Sequence, residues 1–149
     1  MARLYALDTN LYVRAFRDAR ELAALKRFLL RVGARVVLPA VVAVELRAGA
    51  RAAAHEAAVD GLVAPYAERR RVLVPSFGAF LQAGRVLADL VRHERLVLAD
   101  APRSLTGDAL LAAACREAGV VLVTDNHADF ARIKRHLRGF RFEQPWPTV

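Results

Sequence analysis

TGDALLAAACREAGVVLVTDNHADF (106–130) carries, in order, a helix, a glycine stop, an apolar strand and the start of another helix. DALLAAACREAG (108–119) is rich in the strong helix formers Ala and Leu, and Gly119 ends it. VVLVT (120–124) is a continuous, mostly β-branched run with no polar alternation, as in a strand covered on both faces. HADFARIKRHL (127–137) reads as the last helix. A helix delivering a doubly buried strand implies a right-handed crossover and a parallel sheet.

The rest of the chain repeats this alternation. RLYAL (3–7) reads as a short strand ending at Asp8, followed by one helix from Thr9 to Val32 that Gly33 closes. RVVLP (35–39) is an apolar strand, and residues 40–62 are helical in composition, with Gly49 a weak spot. PYAERRR (65–71) reads as a polar connection into the short apolar run VLVP (72–75). Residues 77–96 form an amphipathic helix, and ADAPRSLTG (99–107) reads as a loop with Pro102 and Gly107 as breakers. FRFEQPWP, near the end, is a last short strand or tail. The expectation is one domain spanning 1–149, a three-layer α/β/α unit on a mostly parallel sheet.

Composition narrows the function. The 56% hydrophobic and 26% charged content is that of a globular chain. The formal charge of +8, with Lys26 and Lys134 the only lysines among 23 basic residues, predicts attraction to polyanions. Cys115 stands alone within ALLAAAC, so it reads as a buried apolar side chain, with no disulfide and no cysteine zinc site. No apolar stretch reaches membrane-spanning length, and the chain reads as cytoplasmic.

Against that basic background, four acids are placed where a sheet binds ligands. Asp8 and Asp125 follow strands, at the carboxyl ends where open parallel sheets hold their ligands. Asp108 reads as opening the helix that feeds VVLVT, which starts at the same edge. Glu45 lies early in the helix after RVVLP, inside VVAVELRAG, where an uncompensated carboxylate among apolar neighbours is costly. One acid alone reads equally well as a helix cap or a first-turn residue. Clustered carboxylates repel one another unless a cation sits among them, and oxygen donors of this kind suit Mg²⁺ or Mn²⁺. Zinc would call for His or Cys, and His55, His93, His127 and His136 show no ligand spacing.

The ordered set ALDTN, VVAVELRAG and TGDALLAAACREAGVVLVTDNHADF resembles the PIN-domain nucleases, specifically the VapC-like ribonuclease toxins of bacterial type II toxin–antitoxin pairs, over essentially the whole chain. The resemblance implies a PIN fold and a metal-dependent endoribonuclease. It assigns Asp8, Glu45 and Asp108 to the acidic core that holds Mg²⁺ or Mn²⁺, with Thr9 and Asn10 supporting Asp8 or a bound water. Family members often carry Asn before the third acid, where this chain has Gly107. The fourth acidic position falls among Asp125, Asn126 and Asp129, and the sequence does not rank them. Asn126 is a candidate to hold a metal-bound water, and Glu45 or Asp125 to accept its proton. The resemblance also implies a cognate antitoxin and often a homodimer, with the helices at 21–32 and 77–96 as candidate faces.

An acidic centre that cuts a polyanion needs cations around it. The candidates for RNA contact are Arg14 and Arg17, Arg47 and Arg51, and the group Arg132, Lys134, Arg135 and Arg138. Two other classes compete. A nucleotide-using α/β enzyme lacks support, because neither GxGxxG nor GxxxxGK[ST] occurs. A non-catalytic RNA-binding or regulatory module on the same fold would keep the basic charge without the chemistry.

Overall fold

The computed structural model of the protein describes residues 2–97, 99 and 103–148. Five strands, β1 (Leu4–Leu7), β2 (Val36–Pro39), β3 (Val72–Leu73), β4 (Val120–Val123) and β5 (Phe142–Glu143), form one sheet in the order β3-β2-β1-β4-β5. Every pairing is parallel. The strands are separated by helices α1 (Thr9–Arg17), α2 (Ala19–Val32), α3 (Ala40–Gly49), α4 (Ala53–Glu68), α5 (Phe77–Glu94), α6 (Arg103–Ala118) and α7 (His127–Arg135). Helices α1–α4 pack among themselves, as do α5–α7, with α3 meeting α6. Right-handed crossovers require this, since the chain moves outward from β1 to β3 and then returns past β1 to β4. The result is the three-layer α/β/α sandwich expected from the sequence, with an all-parallel sheet.

Burial follows from that topology. All four residues of β4 and three of four in β1 are buried, because helices cover both faces. Phe28, Phe130, Phe140, Leu122 and Ile133 are fully enclosed, each contributing about 2 kcal/mol through removal of apolar surface from water. Cys115 lies in this core, and burial pushes its thiol up to about 12. Gly119 ends α6 at φ 67°, a left-handed conformation that glycine adopts without strain, and the chain turns there into β4.

The strand positions agree with the sequence, whereas several helix boundaries do not. The single helix expected over 9–32 is two, because Asp18 adopts an extended conformation and its carboxylate caps α2, accepting from the amides of Arg20 (2.7 Å) and Glu21 (3.2 Å). The segment expected over 40–62 also divides, between α3 and α4, just after Gly49. Residues 65–68 are helical despite Pro65, whose missing amide weakens the α4 ladder. Burial of Tyr66, whose hydroxyl meets that of Tyr12 at 3.3 Å, holds this last turn in place. The loop expected over 99–107 is helical from Arg103 onward, while Pro102 lies outside the described residues.

Candidate metal centre at the switch point of the sheet

Strand order reverses between β1 and β4, and the crevice above their carboxyl ends is where such sheets bind ligands. Asp8 ends β1 and caps α1. Its Oδ1 accepts from the Thr9 amide at 2.8 Å, and its Oδ2 from the Thr124 hydroxyl at 2.7 Å. Only 5% of Asp8 is exposed. Burial raises its pKa, against the lowering effect of the two hydrogen bonds.

Glu45, on α3, is half-buried, and its Oε2 accepts a short hydrogen bond from the Thr9 hydroxyl. Its Oε1 rests against α6, where a Cβ added to Gly107 would lie 3.1 Å away. The bare helix at Gly107 is what lets this carboxylate come so close. Asp108 follows on the same helix and is 8% exposed. Burial, and then the charges of Asp8, Glu45 and Asp129, push its pKa up to about 7. Because α6 begins at Arg103, Asp108 sits in the second turn rather than opening the helix, so a first-turn dipole role does not apply.

The three residues expected near the fourth position differ in their contacts. Asn126, not an aspartate, caps α7, with its Oδ1 3.5 Å from the Asp129 amide and its Nδ2 donating to Asp129 Oδ2 at 3.1 Å. Asp129 also lies 3.8 Å from the Arg132 guanidinium, and its charge still raises the pKa of Asp108. Asp125 forms an ion pair with Arg14 at 2.5 Å, is about 40% exposed, and its charge raises the pKa of Asp8. The Arg14 Nε is buried without a hydrogen-bond partner among the described residues. Asn10 is exposed on α1, away from the hydrogen bonds that hold Asp8.

Thr124 does not stand out in the sequence, yet it is fully buried and joins two parts of the site. Its hydroxyl donates to Asp8 and accepts from the Asn126 amide at 3.0 Å. The available signal is a hydroxyl ending an otherwise apolar strand, VVLVT.

Five of the eight cations expected to contact RNA are held by neighbours within the chain, whereas Arg17, Arg51 and Arg138 form no ion pair among the described residues. Arg47 pairs with Glu56 (3.3 Å) and Asp60 (3.5 Å) across the α3–α4 junction. Arg132 and Arg135 share Glu94, at 3.1 and 2.7 Å, and Lys134 donates to the Phe140 carbonyl. Arg135, with Arg132 and His136, holds the Glu94 carboxyl down at about 2. The His93 and His136 rings stack 5.9 Å apart at this cluster.

The donor chemistry of the centre fits a hard divalent cation. Asp8, Glu45 and Asp108 make no ion pair among the described residues, and they repel one another. Among those residues, no three His, Cys, Asp or Glu side chains are drawn together into a ready-made ion cage.

A parallel α/β/α sandwich with buried acids at its switch point defines a class, and similarity to known proteins gives its family. The PIN domain model matches residues 5–136, and the chain belongs to the PIN domain family. Its fold is similar to that of DNA-bound VapBC from Salmonella typhimurium, at 24% identity and a TM-score of 0.71, over 96% of this chain and 98% of that one. It is also similar to FitAcB from Neisseria gonorrhoeae (18%, TM-score 0.69, 97% of this chain and 100% of that one). VapBC-1 from nontypeable Haemophilus influenzae matches at 21% identity and a TM-score of 0.67, over 95% of this chain and 97% of that one. No curated protein matches the chain. The PIN resemblance read from the ordered acids is thereby borne out in family and fold. Among the described residues, no helix is long and apolar enough to cross a membrane.

Proposed function

We propose that the protein is a Mg²⁺- or Mn²⁺-dependent endoribonuclease, the toxin of a bacterial type II toxin–antitoxin pair. The observation that carries this reading is that Thr9 links Asp8 to Glu45 and that both charges reach Asp108, with no ion pair to any of the three among the described residues. Membership of the PIN domain family, whose members are generally nucleases, supports it. The VapBC and FitAcB neighbours support a cognate antitoxin as partner, and a homodimer and a cytoplasmic location belong to the same proposal.

In this reading Asp8, Glu45 and Asp108 would hold the ion, with Asp129 as the fourth acid. A bound divalent ion supplies Lewis-acid charge and an acidified water to the phosphodiester. Thr124 and the Thr9 amide fix both oxygens of Asp8. Thr9 also holds Glu45 Oε2, which leaves Oε1 as the atom to accept a proton from the attacking water. Asp125 stands outside the ligand set and holds the Arg14 guanidinium at the mouth of the site, where it meets an incoming phosphate.

The test is incubation of purified, antitoxin-free protein with a pool of cellular RNAs in Mg²⁺, in Mn²⁺ and in EDTA, beside Asp8→Asn. The expected result is metal-dependent cutting that the variant lacks. Folded protein that cuts in neither metal, yet retains RNA, would be the non-catalytic module.

A further inference from the structure

We infer that the protein has a second nucleic-acid surface, an arginine-rich face around the C-terminal end of α2 that binds single-stranded nucleic acid away from the acidic centre. This does not rest on the nuclease reading. In a parallel sheet, a helix that feeds a strand ends at the edge opposite the one where ligand-binding loops lie. The ends of α2 and α4 therefore carry Arg31, Arg35, Arg69, Arg70 and Arg71 to the amino edge of the sheet, with Arg27 one turn earlier.

The state of these arginines separates them from four of the seven expected around the acidic centre, the exceptions being Arg17, Arg51 and Arg138. Arg14, Arg47, Arg132 and Arg135 are all paired with carboxylates. Arg27, Arg31, Arg35, Arg69, Arg70 and Arg71 form no ion pair among the described residues. Several are placed by uncharged groups instead. Arg31 lies 5.9 Å from the Phe28 ring centre, Arg35 6.0 Å from that of Tyr5 and Arg71 5.2 Å from that of Tyr66. Arg71 also donates to the carbonyls of Gly33 and Val36, at 3.4 and 3.2 Å. Such interactions orient a guanidinium and leave its charge uncompensated. On α4, Glu56 and Asp60 are committed to Arg47, so Glu68 is the one acid of that helix outside an ion pair. The dipole at a helix end accounts for a single cation on each of α2 and α4, not for six.

Shape adds a reason for a single strand. One cleft beside α2, of about 360 Å³, is lined by Ala24, Arg27, Leu30, Arg31 and Trp146. Leu30 is 86% exposed, and Trp146 is only partly buried, tilted against Phe28 at 5.1 Å. On the other flank of the same helix end lies a cleft of about 500 Å³ edged by Arg69 and Arg71. An aromatic and apolar floor between unpaired guanidiniums is how proteins hold unstacked bases while tracking a phosphate backbone.

Trp146 is the only tryptophan, so its fluorescence reports on this face directly. The experiment titrates a fluorescein-labelled single-stranded RNA 12-mer into the full chain in EDTA, reading dye anisotropy and Trp146 emission together. Wild type is compared with Arg27→Gln/Arg31→Gln/Arg69→Gln/Arg70→Gln and with the same four positions changed to Lys. The expected result is saturable binding that quenches Trp146 and weakens at least about tenfold in the Gln variant. Its salt slope should also be shallower, by about 0.7 for each phosphate no longer neutralised. The Lys variant should retain most of the affinity, and unchanged thermal midpoints would show that all three proteins are folded. Absence of binding at low salt, or binding that leaves Trp146 emission unchanged and is equal in the Gln variant, would overturn the inference. So would a poly-glutamate peptide quenching Trp146 as well as RNA does, since the face would then fit an acidic protein segment.

Discussion

Removing the charge of Asp108 should make the metal-free protein more stable. The carboxyl is buried and repelled by Asp8, Glu45 and Asp129, and its pKa stands at about 7 against 3.8 for an unperturbed aspartate. A carboxylate whose pKa is raised by folding costs nothing below its unfolded value, where both states are protonated. As pH rises from 3.8 towards about 7, the unfolded chain ionises first, so folding stability falls across that window and then levels off. The gap corresponds to about 4 kcal/mol at most, and movement of the neighbouring acids reduces it to about 2–4 kcal/mol. In EDTA at pH 8, Asp108→Asn should therefore raise the free energy of unfolding by about that amount, and Tm by roughly 5–15 °C. At pH 4 the two proteins should nearly coincide. Adding Mn²⁺ at pH 8 should stabilise wild type more than the variant, because only wild type presents the full acidic set. Urea melts at both pH values, with and without Mn²⁺, measure all of this. An Asp108→Asn protein less stable than wild type at pH 8 in EDTA would refute the reasoning, since it would mean that the carboxylate is compensated within the chain.

Thr124→Val keeps the shape of the side chain while leaving Asp8 Oδ2 and the Asn126 amide without their partner, at a cost of about 1–3 kcal/mol in a urea melt. Calorimetry should show Mn²⁺ affinity weakened about 10- to 100-fold in that variant, with Thr124→Ser close to wild type. Gly107→Ala sets two effects against each other. The helix gains up to about 1 kcal/mol in propensity, while the new methyl crowds Glu45 Oε1. Metal-free stability should rise or hold as Mn²⁺ binding weakens, and a variant that binds Mn²⁺ as tightly as wild type would show that Glu45 needs no such access. Asp18→Ala should cost about 1 kcal/mol through loss of the α2 cap, with Asp18→Asn restoring most of it in thermal melts.

Strand positions were the most legible feature of this chain. VVLVT and RVVLP bury both faces, so their apolar runs stand out, and Asp8, at the end of β1, falls at the carboxyl edge on the sequence pattern alone. Helix boundaries were less so, because they depend on groups that work in either direction. Asp18 reads as an ordinary polar residue within an amphipathic pattern, and only the extended backbone there makes it a cap. Residues 65–71 read as a polar connection, but tertiary burial of Tyr66 carries α4 through Pro65 to Glu68 despite the lost amide. Residues 103–107 read as a loop because Gly107 signals a break, whereas the structure uses that glycine to bring a helix against Glu45.

By itself, the sequence determined the alternation of strands and helices, the parallel sheet, and the delivery of Asp8, Glu45 and Asp108 to one rim. Each of these follows from local periodicity and the handedness of crossovers, which need no knowledge of side-chain contacts. Only the tertiary structure decided which acids share a field and which are neutralised. Asp125 and Asp129 are four residues apart and alike in sequence, yet Arg14 pairs with the first, whose charge acts on Asp8, while Arg132 lies 3.8 Å from the second, whose charge acts on Asp108. It also decided which arginines are committed, pairing Arg14, Arg47, Arg132 and Arg135 and leaving the six at the far edge of the sheet without an ion pair among the described residues. Charge is written residue by residue, but compensation depends on distances of a few ångströms between segments remote in the chain.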